Sequence, residues 1–199
     1  MVSAQQASAS ILELFKGSIR DGRAQRFVIQ SCELSSDGNF WVIRCNTEDY
    51  VVHGKFEYCL VGVNAHLVDV RTGSHETVAS CFSVDEYLQD KRDVHAAAGK
   101  CYVLVPVFSR ESKEAVINLR QKLQCSYPQS FALLSSTGRR WLTGTRRYLE
   151  HAQRLLAIEG IATGIELESD PSGAIAIGPE TWHINAVLRA LEKKRLQDK

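Results

Sequence analysis

The chain has no apolar run approaching the ~18 residues that a membrane-spanning helix needs, and its opening, Met1-Val2-Ser3-Ala4-Gln5-Gln6, lacks the basic-then-apolar order of a secretory signal. Both absences point to a soluble chain in the cytoplasm, with no membrane partner. Charge of one sign is also missing. The formal net charge is +1, which by itself favours neither a nucleic-acid clamp nor an acidic-surface binder. The six cysteines, Cys32, Cys45, Cys59, Cys81, Cys101 and Cys125, never come closer than thirteen positions. That spacing excludes a dense disulfide scaffold and the C-x₂₋₄-C pairs of a structural zinc site. Reduced, buried thiols acting as small apolar side chains are expected instead.

Signatures of catalysis are lacking too. There is no G-x-G-x-x-G, no G-x₄-G-K-[ST] and no G-x-S-x-G. The histidines, His53, His66, His75, His95, His151 and His183, are isolated in sequence. The nearest approaches to a ligand pair are His75-Glu76 and His66-x-x-Asp69, and alternation along a strand puts His75 and Glu76 on opposite faces. Glu48, Asp49 and Glu57 lie in a polar stretch where carboxylates are ordinarily solvated. The expectation is a protein that is not an enzyme and carries no cofactor or metal.

What is present is an ordinary globular composition, 44% apolar and 24% charged over 199 residues, enough for one large domain or two small ones. The charge divides unevenly. Residues 1–99 hold nine Lys/Arg against thirteen Asp/Glu, a balance of −4; residues 100–199 hold fifteen against ten, a balance of +5. An acidic half followed by a basic half reads as two modules.

In the first module, Ala4, Ala7, Ile11, Leu14 and Phe15 mark one face of a helix that should end near Gly17 or Asp21-Gly22. Phe27 to Leu34 and Phe40 to Cys45 flank Asp37-Gly38-Asn39 and read as a hairpin. A loop or short helix around Gly54 follows, then a second hairpin from Ala65 to Ala79. Ser83-Val84-Asp85-Glu86 is a capping box that opens a short helix, 84–91. The expected result is an antiparallel sheet with helices on one side, joined by a linker over 91–99. In the second module a strand from Tyr102 to Phe108 precedes a helix capped by Ser109 and running to Gln124. A helix over 127–136, a strand from Arg140 to Thr145, a helix from Tyr148 to Glu159 and a strand from Ile161 to Leu167 follow. The order is β-α-α-β-α-β. Residues 169–181 read as a loop, and a helix from Pro179 carries Ile184, Val187, Leu188 and Leu191 before fraying in its charged end. The fold class is therefore α+β, two small modules: an antiparallel sheet with flanking helices, then a β-α-α-β-α-β sandwich and a C-terminal helix.

The most concentrated charge is Arg139, Arg140, Arg146, Arg147 and Arg154, interleaved with Trp141 and Tyr148. A solvated strand edge is the first reading of this cluster. An acidic protein partner comes second, and a nucleic-acid surface, in which arginines meet phosphates and aromatics stack on bases, comes third.

Several pieces in order carry a family resemblance: Phe40-Trp41-Val42-Ile43, Val52-x-Gly54, Gly62-x-Asn64-Ala65, Leu67-Val68-Asp69, Thr72-Gly73 and Val84-Asp85-Glu86-Tyr87-Leu88. Through them residues 10–92 resemble the YrhB-like bacterial immunity-protein domain (immunity protein 35 family). The chain departs from that pattern at Val63-Asn64 and Cys81-Phe82. Residues 100–168 look, more distantly, like the C-terminal domain of ribosomal protein L7/L12, through Lys113-Glu114-Ala115 and His151-Ala152-x-x-Leu155-Leu156-x-x-x-Gly160-Ile161. The resemblances imply a YrhB-like domain over 1–93, an L7/L12-like module over 100–168, and a loop and helix over 169–199. They imply an immunity protein that neutralises a cognate toxin effector domain in interbacterial competition by stoichiometric occlusion. Glu48, Asp49, Tyr50 and Glu57, together with Arg140, Arg146 and Arg147, are the partner-binding candidates, and a translation factor is a further partner to test. The alternatives are a general chaperone, an enzyme reversing a toxin's modification in a pocket of His66, Asp69 and Cys59, and RNA binding through the arginines around Trp141.

Overall fold

The computed structural model describes residues 1–197, and the chain divides into two compact units, Met1–Gln89 and Asp90–Lys199. The fold is mixed α+β, with an antiparallel sheet and a C-terminal helix.

In the first unit α1 (Ala4–Leu14) opens on a capping box in which Ser3 and Gln6 satisfy each other's backbone N–H. A two-residue ribbon follows, β1 (Ile19–Arg20) and β2 (Arg23–Ala24), turning on Asp21 and Gly22. Both turn residues have positive φ, 52° and 75°, which a tight two-residue reversal requires and glycine adopts without steric cost. The helix thus ends near the first of its two expected stops, Gly17, and the ribbon takes the place of a continuation to Asp21-Gly22. The main sheet is antiparallel in the order β3 (Phe27–Leu34), β4 (Phe40–Thr47), β5 (Val63–Asp69), β6 (His75–Ala79). At the β5–β6 turn the Asp69 carboxylate accepts from the backbone N–H of Arg71 (2.8 Å) and Thr72 (2.7 Å), which fixes the hairpin.

The sheet is covered on both faces. Residues adjacent along a strand point to opposite sides, and both members of Val42-Ile43 and of Leu67-Val68 are buried. Ile43 and Val68 pack with Ala7 and Ile11 of α1, whereas Val42 and Leu67 pack with Val84 and Leu88 of α3 (Val84–Ala96). The expectation of helices on one side is corrected accordingly. Complete burial of a side chain such as Ile11 contributes about 1.5–3 kcal/mol, and it anchors α1 together with the Trp41 indole, which donates to the Val2 carbonyl at 2.9 Å.

The segment expected to act as a linker is mostly helix. α3 runs on to Ala96, Asp93 and Ala97 are buried, and positive φ at Ala98 and Gly99 ends the run. Alanine favours helix more than any other residue, and the Asp93 carbonyl accepts from the Tyr102 hydroxyl at 2.9 Å.

In the second unit β7 (Cys101–Pro106) pairs antiparallel with β9 (Thr163–Glu168) and with β8 (Leu142–Thr143); β10 (Ile175–Ala176) pairs parallel with β8. The intervening helices are α4 (Lys113–Lys122), α5 (Tyr127–Leu133) and α6 (Arg146–Ile158), so the expected element order stands. α4 starts later than expected, because Ser109 bonds the Glu111 N–H in a preceding turn instead of capping the helix. The strand read as Arg140 to Thr145 is only two residues long. The apolar run inside the expected loop forms β10. α7 (Ile184–Gln197) does not fray after Leu191: Val187, Ala190 and Leu191 join the core, and Lys194 is itself buried. The core gathers Leu104, Leu119, Leu133, Leu149 and Leu156 around Trp141, whose indole donates to the Leu133 carbonyl at 2.9 Å.

Candidate functional site

The acidic stretch singled out in the sequence lies between β4 and β5, in a segment held at two points. Thr47 caps α2 (Glu48–Val51), its hydroxyl accepting from the Tyr50 N–H at 3.3 Å and donating to the Tyr58 carbonyl at 2.7 Å. The buried Asn46 amide accepts from the N–H of Thr47 (2.9 Å) and Leu60 (2.7 Å) and donates to the Leu60 carbonyl at 3.2 Å. Between these ties the chain turns at Gly54, whose φ is +67°, and forms one 3-10 turn, Phe56–Tyr58.

The carboxylates here are not a free acidic patch. Glu48 pairs with Arg26 at 3.2 Å and Asp49 with Lys55 at 2.7 Å. The bond from Lys55 holds the Asp49 carboxyl below the usual range, aided by the positive charge of Lys55 and Arg23. Lys55 and Arg23 also approach the Tyr58 ring, at 5.7 and 6.0 Å from its centroid. Tyr50 meets Phe56 edge to face at 5.7 Å. Glu57 is exposed and has no ion pair among the described residues.

Apolar exposure distinguishes this segment, and it escaped the sequence reading. Val52 is 62%, Phe56 78% and Val61 80% exposed. Beside Val61 an open cleft of ≈ 480 Å³ is lined by Phe15, Ile19, Phe27, Tyr58, Cys59 and Leu60 among others. Large apolar side chains exposed in one segment together with ion pairs are the composition of a protein-binding surface. The signal available in the sequence was Val51-Val52 and Phe56 on either side of His53-Gly54, apolar residues in a stretch too polar to bury them.

His66, Asp69 and Cys59 do not converge. Cys59 lines the cleft and Asp69 closes the β5–β6 turn, while the buried His66 points to the α1 side, with Phe15 edge-on at 5.6 Å. Its Nδ1 lies 3.3 Å from the Thr77 hydroxyl and its Nε2 has no hydrogen-bond partner, so burial holds its pKa below the usual value. Among the described residues no group of three or more His, Cys, Asp or Glu is placed to hold a metal. The cysteines are free but less buried than expected: Cys81 is exposed and the others are half-buried. Burial pushes the Cys45 thiol up to about 11, which keeps it protonated and poorly nucleophilic.

The arginine cluster of the second unit is largely engaged with its own unit. Arg147 pairs with Asp90 at 3.0 Å, Arg146 with Glu150 at 2.8 Å, and Arg140 donates to the Asp170 carbonyl at 2.9 Å. Trp141 is fully buried and offers no stacking platform, because the space beside Leu133 and Leu142 takes the whole indole. The picture of arginines and tryptophan sharing one surface is therefore corrected.

No helix among the described residues is long and apolar enough to cross a membrane. No protein-family model, curated protein or solved structure matches the chain.

Proposed function

We propose that this chain is a cytoplasmic immunity protein that neutralises a cognate toxin effector domain by occupying it one to one, without chemical turnover. The reading rests on the resemblance of residues 10–92 to the YrhB-like immunity domain. The observation that carries it is the exposure of Val52, Phe56 and Val61 within one segment that also holds Glu48, Asp49, Tyr50 and Glu57, with Tyr50 edge to face on Phe56. Phe56 is the natural anchor: an aromatic side chain that gains burial only when a partner covers it, next to charges that orient the encounter. A tight complex would bury on the order of 1,600 Å² in total, within the reach of one unit.

The test is co-expression with the product of the adjacent gene, with cell survival and co-purification as readouts. The expected result is rescue by the wild type, a stable equimolar complex, and loss of both with Phe56→Ala, which removes an exposed side chain and leaves the fold intact. Death of cells that hold soluble wild-type protein would refute the reading. A second reading, a general chaperone, draws on the same exposed apolar residues. It is separated by suppressed aggregation of unrelated clients, which a dedicated antidote does not produce.

A further inference from the structure

Two cations of the second unit that have no ion pair among the described residues stand beside exposed aromatic rings: Arg110, in the turn before α4, and Arg120, on α4. The Arg120 guanidinium stacks over the Tyr127 ring, 4.3 Å from its centroid. Tyr127 and Phe131, one turn apart on α5, have their centroids 6.2 Å apart and are 44% and 36% exposed. Arg110 lies 5.9 Å from the Phe131 ring and donates its Nε–H to the Phe131 carbonyl at 3.1 Å. Arg110, Phe131, Tyr127 and Arg120 thus form a row of four planar groups. Neither Arg110 nor Arg120 has an ion pair among the described residues, whereas Lys122 on α4 is neutralised by Glu159.

From this row we infer that the α4–α5 face binds a single-stranded nucleic acid. A guanidinium stacked on a ring keeps its in-plane N–H groups directed outward, in the fork that matches phosphate oxygens. Aromatic rings exposed beside such cations are stacking platforms for unpaired bases, and they tolerate any sequence because every base has a π-face. An acidic peptide would use the two guanidinium groups but would leave the rings without a role. A duplex would present its phosphates while keeping its bases out of reach. The unit as a whole, from Asp90 on, holds seventeen Lys/Arg against twelve Asp/Glu, so the long-range field favours a polyanion. The inference is independent of toxin binding, which rests on the first unit.

The experiment is fluorescence anisotropy of the full chain with labelled oligo-U and oligo-dT of about twelve nucleotides, a duplex of the same length, and a polyglutamate peptide. Both single strands should bind, the duplex and the peptide more weakly. The affinity should fall with salt at a log–log slope of about −1.4, the value for two phosphate contacts on a single strand. Tyr127→Ala should weaken binding about tenfold. Arg120→Lys keeps the charge but loses the planar stack, so it should weaken binding and leave the salt slope unchanged. Arg146→Gln, in the neutralised cluster, should bind as wild type. Equal strength of RNA and DNA would identify base and phosphate as the ligand, and preference for RNA would add the 2′-hydroxyl. Absence of binding at about 100 µM, the weak end of non-specific affinity, would overturn the inference. So would preference for the duplex or the peptide, or wild-type affinity in both folded Arg120→Lys and Tyr127→Ala proteins.

Discussion

Lowering the pH should loosen the first unit through one side chain. His66 is 4% exposed, its Nε2 has no partner among the described residues, and Phe15 packs on it with centroids 5.6 Å apart, so burial without a second hydrogen bond favours the neutral ring. Burial lowers its pKa, and the positive field of a protonated His75 acts in the same direction. In the unfolded chain the imidazole takes up its proton near pH 6.5. Below that pH the unfolded state binds more protons than the folded one, so stability falls as pH falls, down to the lower folded-state value. It is fully present above pH 6.5. The slope for one proton cannot exceed about 1.4 kcal/mol per pH unit. Urea unfolding of the wild type and of His66→Phe, followed by the amide NMR signals of β4 and β5 between about pH 7.5 and 5, isolates this effect from the other titrating groups. The wild-type stability minus that of His66→Phe should be flat above pH 6.5 and decline below it. A difference that stays flat to pH 5, or that rises as pH falls, would refute the reasoning.

Two structural substitutions probe the rest of the framework. Asn46→Ala strands the N–H of the buried Thr47 and that of the half-buried Leu60, and at about 1–3 kcal/mol for each unsatisfied donor it should cost about 2–6 kcal/mol. Amide exchange should then rise first between residues 47 and 61. Gly144→Ala would put a Cβ 2.6 Å from the Ile177 carbonyl, where backbone must move, so β8 and β10 should separate at a cost of about 1–3 kcal/mol. The check is a lowered melting temperature with loss of the Ile177-to-Thr143 hydrogen bond in amide exchange.

Local signals located most of the elements. Asp37-Gly38 placed the β3–β4 hairpin to the residue at Phe27, Leu34 and Phe40, because the turn dictates positive φ and the flanking runs are β-branched and aromatic. The Ser83–Glu86 capping box placed the start of α3, with the serine and the carboxylate bonded as expected. Boundaries without such punctuation went astray. Residues 91–96 carry three charges in six positions and read as a linker, yet they extend α3, where Asp93 is buried and meets Arg146 at 3.9 Å.

The candidate site was legible by place but not by character. Glu48, Asp49, Tyr50 and Glu57 could be picked out as charged and aromatic residues between two strands. That Arg26 and Lys55 neutralise two of those carboxylates, and that Val52, Phe56 and Val61 stand in solvent, depends on which side each residue faces once β3, β4 and β5 are paired. The arginines divide in the same way. Charge density in sequence pointed to Arg139 through Arg154, where Arg139, Arg146 and Arg147 are ion-paired, whereas Arg110 and Arg120 stand beside aromatic rings with no ion pair among the described residues.

Patterns set by neighbours a few residues apart, such as turns, caps and helical stripes, were thus determined by the sequence alone. Exposure, ion pairing and the protonation of His66 were decided by the tertiary structure, since each depends on groups that only folding brings within a few ångströms.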